Sequence, residues 1–137
     1  MDHLRLVYED DVLKLFWDTR AGYHIAEWHG FAKAERLRNA SHACVYASRE
    51  RPCSRWLADL GEFSVVDVED QHWLVERFYP LLAENGLRHI AVVLPVDPVA
   101  QLSAQKVNDA YGRNGSIEFA YHAARADSAR WLASKAD

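Results

Sequence analysis

The feature that most constrains the fold is a run of five apolar residues, Ile90-Ala91-Val92-Val93-Leu94. A strand without polar positions is typical of a parallel sheet in which helices cover the strand on both faces. A shorter run of the same kind, Trp56-Leu57-Ala58, occurs earlier, and a helix-like pattern lies between the two. Because parallel strands need a long crossover connection, which is usually a helix, the two runs predict a βαβ unit. The chain is therefore expected to be an α/β protein.

The segment before Gly30 has a different pattern, in which apolar and polar residues alternate. Turn residues separate three such runs, which are Leu4 to Tyr8, Leu13 to Trp17 and Tyr23 to His29. Period-two alternation predicts strands with one buried face and one face in water. We therefore expect an antiparallel meander that adds to one edge of the parallel sheet.

Helical spacing and short apolar runs divide the rest of the chain. The predicted helices run from after Gly30 to Pro52, from Asp67 to Asn85-Gly86, from Asp97-Pro98 to about Gly112, and from Ala126 to Ser134. The predicted strands between them are Arg55 to Leu60, Ile90 to Leu94 and Ile117 to Tyr121. Pro80 lies inside the second helix and is expected to bend it.

The resulting order, βββ-α-β-α-β-α-β-α, predicts one domain over residues 1–137. Its mixed sheet has an antiparallel N-terminal edge and a parallel remainder, and helices are expected on both faces of the parallel part. The edge strand of the meander leaves backbone groups free to pair with another chain, and Lys14 and His24 protect it only modestly. The sequence therefore also predicts a homodimer.

Composition narrows the class of protein. Half of the 137 residues are hydrophobic, which is enough for one core. The formal net charge of -4 argues against nucleic-acid binding, because phosphate contacts draw on an excess of Lys and Arg. No apolar run approaches the ~18 residues of a membrane span, and the chain starts without a signal-peptide pattern. We therefore expect a cytoplasmic protein with no membrane partner, in which Cys44 and Cys53 stay reduced.

Acidic residues concentrate where the Trp56–Ala58 strand is expected to end. From Asp59 to Asp70 the chain has five acidic residues and no basic one, whereas Phe31 to Arg55 has six basic and two acidic residues. Ligands and partners of open α/β sheets usually dock beyond the carboxyl ends of the strands. The predicted binding residues are Asp59, Phe63, Asp67, Glu69, Asp70 and Trp73.

Part of this acidity has a structural interpretation. Asp67 is a predicted N-cap with Asp70 as its capping-box partner, and Glu69 lies in the first helical turn, where the helix dipole favours it. The remaining alternatives for the charge are a solvated face and the electrostatic steering of a partner.

Enzymatic chemistry is the least favoured alternative. The seven His and two Cys residues do not occur at metal-ligand spacings, and no glycine-rich phosphate loop exists, so we predict neither a metal nor a cofactor. Cys53 lies between Arg51 and Arg55, which lower the pKa of a nearby thiol, and Asp59 with Asp67 offers a carboxylate pair. Neither arrangement has a recognisable catalytic partner in the sequence.

Several short strings, in this order and spacing, resemble the STAS-type fold of the anti-sigma-factor antagonists and the sulfate-transporter tail domains. They span nearly the whole chain and are Glu27-Trp28-His29-Gly30-Phe31, Trp56-Leu57-Ala58-Asp59, Asp67-Val68-Glu69-Asp70-Gln71-His72-Trp73, Ile90-Ala91-Val92-Val93-Leu94 and Ala129-Arg130-Trp131-Leu132. The closer likeness is to small bacterial STAS-like proteins without an assigned role. The resemblance implies a regulatory domain that binds a protein partner.

The resemblance also implies where a switch would lie. In the antagonist members, an Asp-Ser-Ser-Gly string opens the helix after such a strand, and phosphorylation of a serine there breaks the contact with a partner kinase. Here Asp67-Val68-Glu69-Asp70 occupies those positions, and both serines are missing. Glu69 places a permanent negative charge where the phosphate would be. Ser64 is the serine that remains in the preceding loop.

Two non-enzymatic functions are therefore in competition. The first is a regulatory module whose working surface extends from Asp59 to Trp73. The second is a binder or carrier of a small apolar or amphipathic ligand, because a related lipid-carrying fold resembles the STAS core. A carrier predicts a hydrophobic cavity of roughly 300 Å³ or more, and an interaction module predicts a solid core.

Overall fold

Six strands form one sheet, and their order in space is their order along the chain. The computed structural model describes residues 3–113 and 115–136. The strands are β1 (Leu4–Glu9), β2 (Leu13–Asp18), β3 (Tyr23–Gly30), β4 (Arg55–Phe63), β5 (His89–Val93) and β6 (Glu118–His122). The pairs β1–β2 and β2–β3 are antiparallel, and the pairs from β3 to β6 are parallel. The predicted mixed sheet with an antiparallel N-terminal edge is confirmed.

The helices also follow the predicted order. They are α1 (Glu35–Glu50), α2 (Val68–Trp73), a π-helical turn (Leu74–Phe78), α3 (Tyr79–Glu84), α4 (Pro98–Gly112) and α5 (Arg125–Ala133). The stretch from α2 to α3 is the single helix expected between Asp67 and Gly86. No helix in the described part of the chain is both long and apolar enough to cross a bilayer.

The two faces of the sheet are covered unequally. Strands β3 to β6 advance across the sheet in one direction, so right-handed crossovers place their connecting helices on the same face. That face holds the larger core, with Leu37 of α1, Leu82 of α3 and Val107 of α4 packed in one cluster. On the other face, α5 is the helix of the described residues that packs against β4, β5 and β6, around Leu132. Helices do lie on both faces, as predicted, but one face depends on a single helix.

A π-helical turn accommodates the proline inside the second helical segment. The N–H of Tyr79 donates to the carbonyl of Leu74, five residues earlier, instead of four. Pro80 has no N–H and its ring crowds the preceding turn, so it cannot continue a regular α-helical ladder. A wider turn just before the proline is the known remedy for such a break. The structure therefore places a π turn where the sequence predicts a bend.

Candidate functional site

Strand β4 continues further than the sequence predicts. It pairs with β3 as far as Gly30 and Phe63, whereas the predicted strand ends at Leu60. Asp59 therefore lies within the strand instead of at its end. The connection to α2 is a short segment of residues 64–67, which we call the β4–α2 segment.

Asp59 faces α5 and not α2. Its Oδ1 accepts a hydrogen bond from the N–H of Gly61 at 2.9 Å, and its Oδ2 lies 3.4 Å from Nη1 of Arg125. The same guanidinium donates to Oε2 of Glu27 at 2.7 Å, and Glu27 is the register partner of Asp59 on β3. The two half-buried carboxylates thus hold the first residue of α5 against the sheet. Asp59 does not join the other predicted site residues.

Asp70 is buried, with 3% of its surface exposed, and it supports the start of α1. Its Oδ2 accepts a hydrogen bond from the N–H of Ala34 at 2.9 Å, and its Oδ1 lies 3.9 Å from Nη2 of Arg38. The predicted capping box is wrong, because Asp67 makes no side-chain cap bond. Asp67 instead forms an ion pair with Lys33 at 3.3 Å. The two carboxylates join the start of α2 to the loop before α1.

Ala34, which Asp70 holds, has a φ of 51° and a ψ of -120°. A side chain with a Cβ is strained in this region of backbone space, whereas glycine adopts it freely. We expect Ala34→Gly to raise the free energy of unfolding by about 1 kcal/mol, in urea titrations. Ala43→Gly, in the middle of α1, is the matched control and should lower it by about 1 kcal/mol. Destabilisation by both substitutions would show that Ala34 is not strained.

The two predicted aromatic residues are largely inside the protein. Phe63 is buried against Trp28, with ring centroids 5.5 Å apart. Trp73 is half-buried, and it packs edge-on against His42 at 5.5 Å and under the guanidinium of Arg38. These contacts attach α2 to α1. They leave only part of Trp73 available to a partner.

Val68 and Glu69 are the residues of this region that project into solvent at the helix start. The segment before them is fixed: the N–H of Val66 donates to Oγ of Ser103 on α4 at 3.0 Å, and Nε2 of Gln71 donates to the carbonyl of Val66 at 2.7 Å. The start of α2 is therefore a rigid, exposed acidic corner between α1 and α4.

A small apolar cavity lies beneath this corner. Its volume is about 80 Å³, well below the roughly 300 Å³ expected of a site for a drug-sized or lipid ligand. Trp56 and Ile90 of the sheet contribute to its wall, together with Phe78 of the π turn. Ser64, Val66, Pro95, Ala100 and Ser103 also line it. The sequence patterns do not predict that α4 contributes to this cavity, because they do not show which helices pack against each other.

A wider groove lies at the other side of the molecule, between β1 and α1. Its volume is about 630 Å³, and Val7, Tyr46, Glu50 and Arg51 are among its lining residues. The groove is open to solvent, whereas a carrier encloses most of the surface of its ligand. It therefore does not resemble an enclosed carrier site.

Cys53 lies beside a histidine, but the pair is not poised for nucleophilic chemistry. Its Sγ is 3.5 Å from Nδ1 of His24 and 3.0 Å from the carbonyl oxygen of Arg55. Burial raises the pKa of the Cys53 thiol, in spite of the lowering effect of its hydrogen bonds and of Arg55. Burial, with help from Arg51, lowers the pKa of His24 to about 4. At neutral pH the pair is a thiol next to a neutral imidazole, which does not favour nucleophilic attack.

The acidic residues do not form a metal centre. Within residues 3–113 and 115–136, no three His, Cys, Asp or Glu side chains are close enough together to hold a metal ion. Asp59 and Asp67 are engaged by Arg125 and Lys33 respectively, on opposite sides of the sheet.

The sheet order, with antiparallel strands first and parallel strands after them, and the interleaved helices define an α/β domain of STAS-like, or SpoIIAA-like, fold. The chain is similar in structure to an uncharacterised protein of the DUF3478 family from Shewanella loihica PV-4, which has a SpoIIAA-like fold. The similarity has a TM-score of 0.54 at 13% sequence identity, and it covers 94% of this chain and 91% of that one. No family model matches the chain, and no curated protein matches it significantly. At this identity, the comparison establishes the fold.

Proposed function

We propose that this protein is a non-enzymatic, cytoplasmic regulatory module that binds a protein partner through the start of α2. The observation that carries the proposal is the exposed pair Val68 and Glu69 on a segment that is held rigid from both sides. A preformed surface binds without the cost of ordering itself. In the anti-sigma-factor antagonists, which the chain resembles, the phosphorylation of a serine at this position breaks the contact with a partner kinase.

The fixed charge of Glu69 supports constitutive control of the partner by negative charge at the start of α2. Val68 cannot be phosphorylated, and Glu69 provides a carboxylate in the first turn of the helix, where negative charge is favourable. A partner of this surface therefore meets a charge that no kinase or phosphatase changes. The module is proposed to remain in one signalling state, and its control would lie in abundance or in the partner.

The contact surface is smaller than the stretch of sequence that predicted it. Asp59, Phe63 and Asp70 act as supports, since they are committed to Arg125, Trp28 and Ala34. These three side chains stabilise the fold around the surface. The proposed contacts with a partner come from neighbouring exposed groups. The proposed surface consists of Val68, Glu69, the exposed part of Trp73 and Asp67.

Charge reversal of Glu69 tests the proposal. We expect Glu69→Lys to weaken capture of a partner from the cytosol of the source organism by at least about tenfold, because a rim charge of the wrong sign costs more than 1.4 kcal/mol. Glu76→Lys, an exposed reversal in the π turn, is the matched control and should capture the partner normally. The readout is quantitative mass spectrometry of captured proteins, followed by calorimetry with the purified partner.

The result that contradicts the proposal is equally clear. Capture of the same proteins in the same amounts by Glu69→Lys, Glu76→Lys and the unchanged protein would remove the α2 start from the interaction surface. A small molecule that co-purifies in stoichiometric amount, without any protein, would favour the ligand-binding alternative instead.

A further inference from the structure

Strand β1 lies at one edge of the sheet, and its outer side carries backbone groups that no described strand pairs with. Its neighbour in the sheet is β2, and no other described strand lies beside it. The N–H of Thr19 donates to the carbonyl of His3 at 2.8 Å, which sets the alternation of the antiparallel ladder. By that alternation, the N–H and C=O groups of Leu4 and Leu6 point away from β2. We call this outer side the β1 edge, and a row of free groups of this kind pairs readily with a further strand.

Strand β6, at the opposite edge of the sheet, is better protected. Helices α4 and α5 both pack against it. Of the five residues of β6, Glu118 is the one that is exposed. The six residues of β1 include four exposed ones, which are Arg5, Leu6, Val7 and Glu9. The β1 edge is therefore the more accessible of the two.

The middle of β1 is apolar and exposed. Leu6 exposes 51% of its surface, and Val7 exposes 44%. The register with β2 shifts between Leu6 and Tyr8, so Val7 is the extra residue of a β-bulge. Val7 lines the groove beside α1, as does Tyr46, which is 61% exposed. The groove, of about 630 Å³, leaves room for the side chains of a strand laid along the β1 edge.

The first end of β1 has an excess of exposed positive charge. Its ionisable side chains are His3, Arg5, Asp18, Glu50 and Arg51. The guanidinium of Arg51 lies 5.5 Å from the ring of Trp17, which is the register partner of Arg5. Asp18 is buried and accepts hydrogen bonds from backbone N–H groups of the next turn. The two arginines therefore outnumber the one exposed carboxylate, that of Glu50.

The second end of β1 has an excess of negative charge. Its ionisable side chains, apart from Tyr8, are Glu9, Asp10, Asp11, Lys14 and Arg36. Lys14 lies 3.7 Å from Glu9, and Arg36 lies 3.6 Å from Asp11. Both are exposed ion pairs, which contribute little to stability and leave their charges accessible. Three carboxylates against two bases make this end acidic.

We propose that two copies of this chain associate through their β1 edges, as antiparallel strands related by a two-fold axis. This arrangement brings the basic end of each strand against the acidic end of the other, and the apolar middle against itself. A parallel arrangement would bring like charges together. The strand is thus complementary to itself, which is the reason for a second copy as the occupant. The interface is separate from the proposed partner surface at the start of α2, so the inference goes beyond the proposed function.

The β-bulge limits the strength of the association. Because Val7 interrupts the regular ladder, the free backbone row is short, and the bulge bends the strand. Bulges and charged side chains are features that keep edge strands from aggregating. The proposed dimer is therefore reversible and depends on protein concentration and on salt.

Reciprocal charge reversal tests the pairing. Arg5→Glu leaves β1 with acidic residues at both ends, and Glu9→Arg leaves it with basic residues at both ends. At low ionic strength, each variant alone should dimerise at least about tenfold more weakly than the unchanged chain. An equimolar mixture of the two should associate as well as the unchanged chain, because every end then meets the opposite charge. Arg77→Glu, an exposed reversal in the π turn, is the matched control. Sedimentation equilibrium of the full-length proteins measures each constant.

A substitution in the middle of β1 tests the location. Val7→Lys brings two charges together near the two-fold axis, and we expect it to weaken the association at least about a hundredfold. Val99→Lys, at an exposed valine of α4, is the matched control and should dimerise normally. Hydrogen exchange followed by NMR gives a second readout. The amides of Leu4 and Leu6 should exchange at least about tenfold more slowly in concentrated unchanged protein than in Val7→Lys.

Four results would overturn the inference. One is a single 15.7 kDa species at every concentration up to about 1 mM. The second is association that Val7→Lys leaves unchanged. The third is a mixture of Arg5→Glu and Glu9→Arg that associates no better than either variant alone, which would exclude antiparallel pairing. The fourth is slowed exchange in β6 without any change at Leu4 and Leu6, which would place the interface at the other edge.

Discussion

Replacing Leu132 by alanine is expected to lower the free energy of unfolding by about 3 kcal/mol, within the range measured for buried leucines. Leu132 has 0% of its surface exposed, and it is the centre of the core under α5 with Ile25, Leu57 and Ala91. Among the described residues, α5 is the one helix packed on that face of the sheet, so no second helix beside it can move in to fill the cavity. Urea titration at constant pH measures the effect.

Leu102→Ala is the matched control for this experiment. It makes the same chemical change at a helical position that is 67% exposed, and it should change the free energy of unfolding by less than about 0.5 kcal/mol. A loss for Leu132→Ala as small as that of the control would mean that α5 is only loosely attached. Its attachment would then rest on Arg55, which donates to the carbonyl of Leu132 at 3.2 Å, and on Arg125.

The fold could be predicted from the sequence because hydrophobic pattern and connectivity act together. Alternation before Gly30 and continuous apolar runs after it distinguish antiparallel from parallel strands, and right-handed crossovers leave few arrangements. The end of β4 could not be predicted in this way. Pairing with Gly30 extends it to Phe63, and that register depends on a partner strand distant in sequence.

The site could be predicted only in part, because the same residue types serve in support and in recognition. Asp70 looks like a helix cap in the sequence, but it satisfies the N–H of Ala34, which lies 36 residues away. Asp59 looks like an exposed strand end, but it is attached to Arg125 on the last helix. Glu69 is correctly placed in the first helical turn by its neighbours alone. Local sequence patterns thus pointed to the acidic region around the start of α2. Which of its carboxylates remain exposed depends on tertiary contacts, which these patterns do not show.

The largest pH effect is expected from His24. The imidazole is 1% exposed and lies between the rings of Trp17 and Trp56, at centroid distances of 4.8 and 4.7 Å. Burial, and then the charge of Arg51, lowers its pKa from 6.5 to about 4. The sequence suggested that Lys14 and His24 would give the sheet edge modest protection. This prediction is wrong because β2 and β3, which carry them, are interior strands.

A depressed histidine pKa makes the folded state less stable in acid, because the unfolded chain takes up the proton first. Between pH 6.5 and about 4, the free energy of unfolding should fall by about 3 kcal/mol on account of His24, and the contribution should be complete above pH 6.5. His24→Phe keeps an aromatic ring between the two tryptophans and removes the titration, so its loss of stability in this range should be smaller by that amount. His72→Gln, at an exposed position on α2, should leave the slope unchanged. Urea titrations of the three proteins across this pH range give the comparison. Parallel curves for His24→Phe and the unchanged protein would show that folding does not lower the pKa of His24.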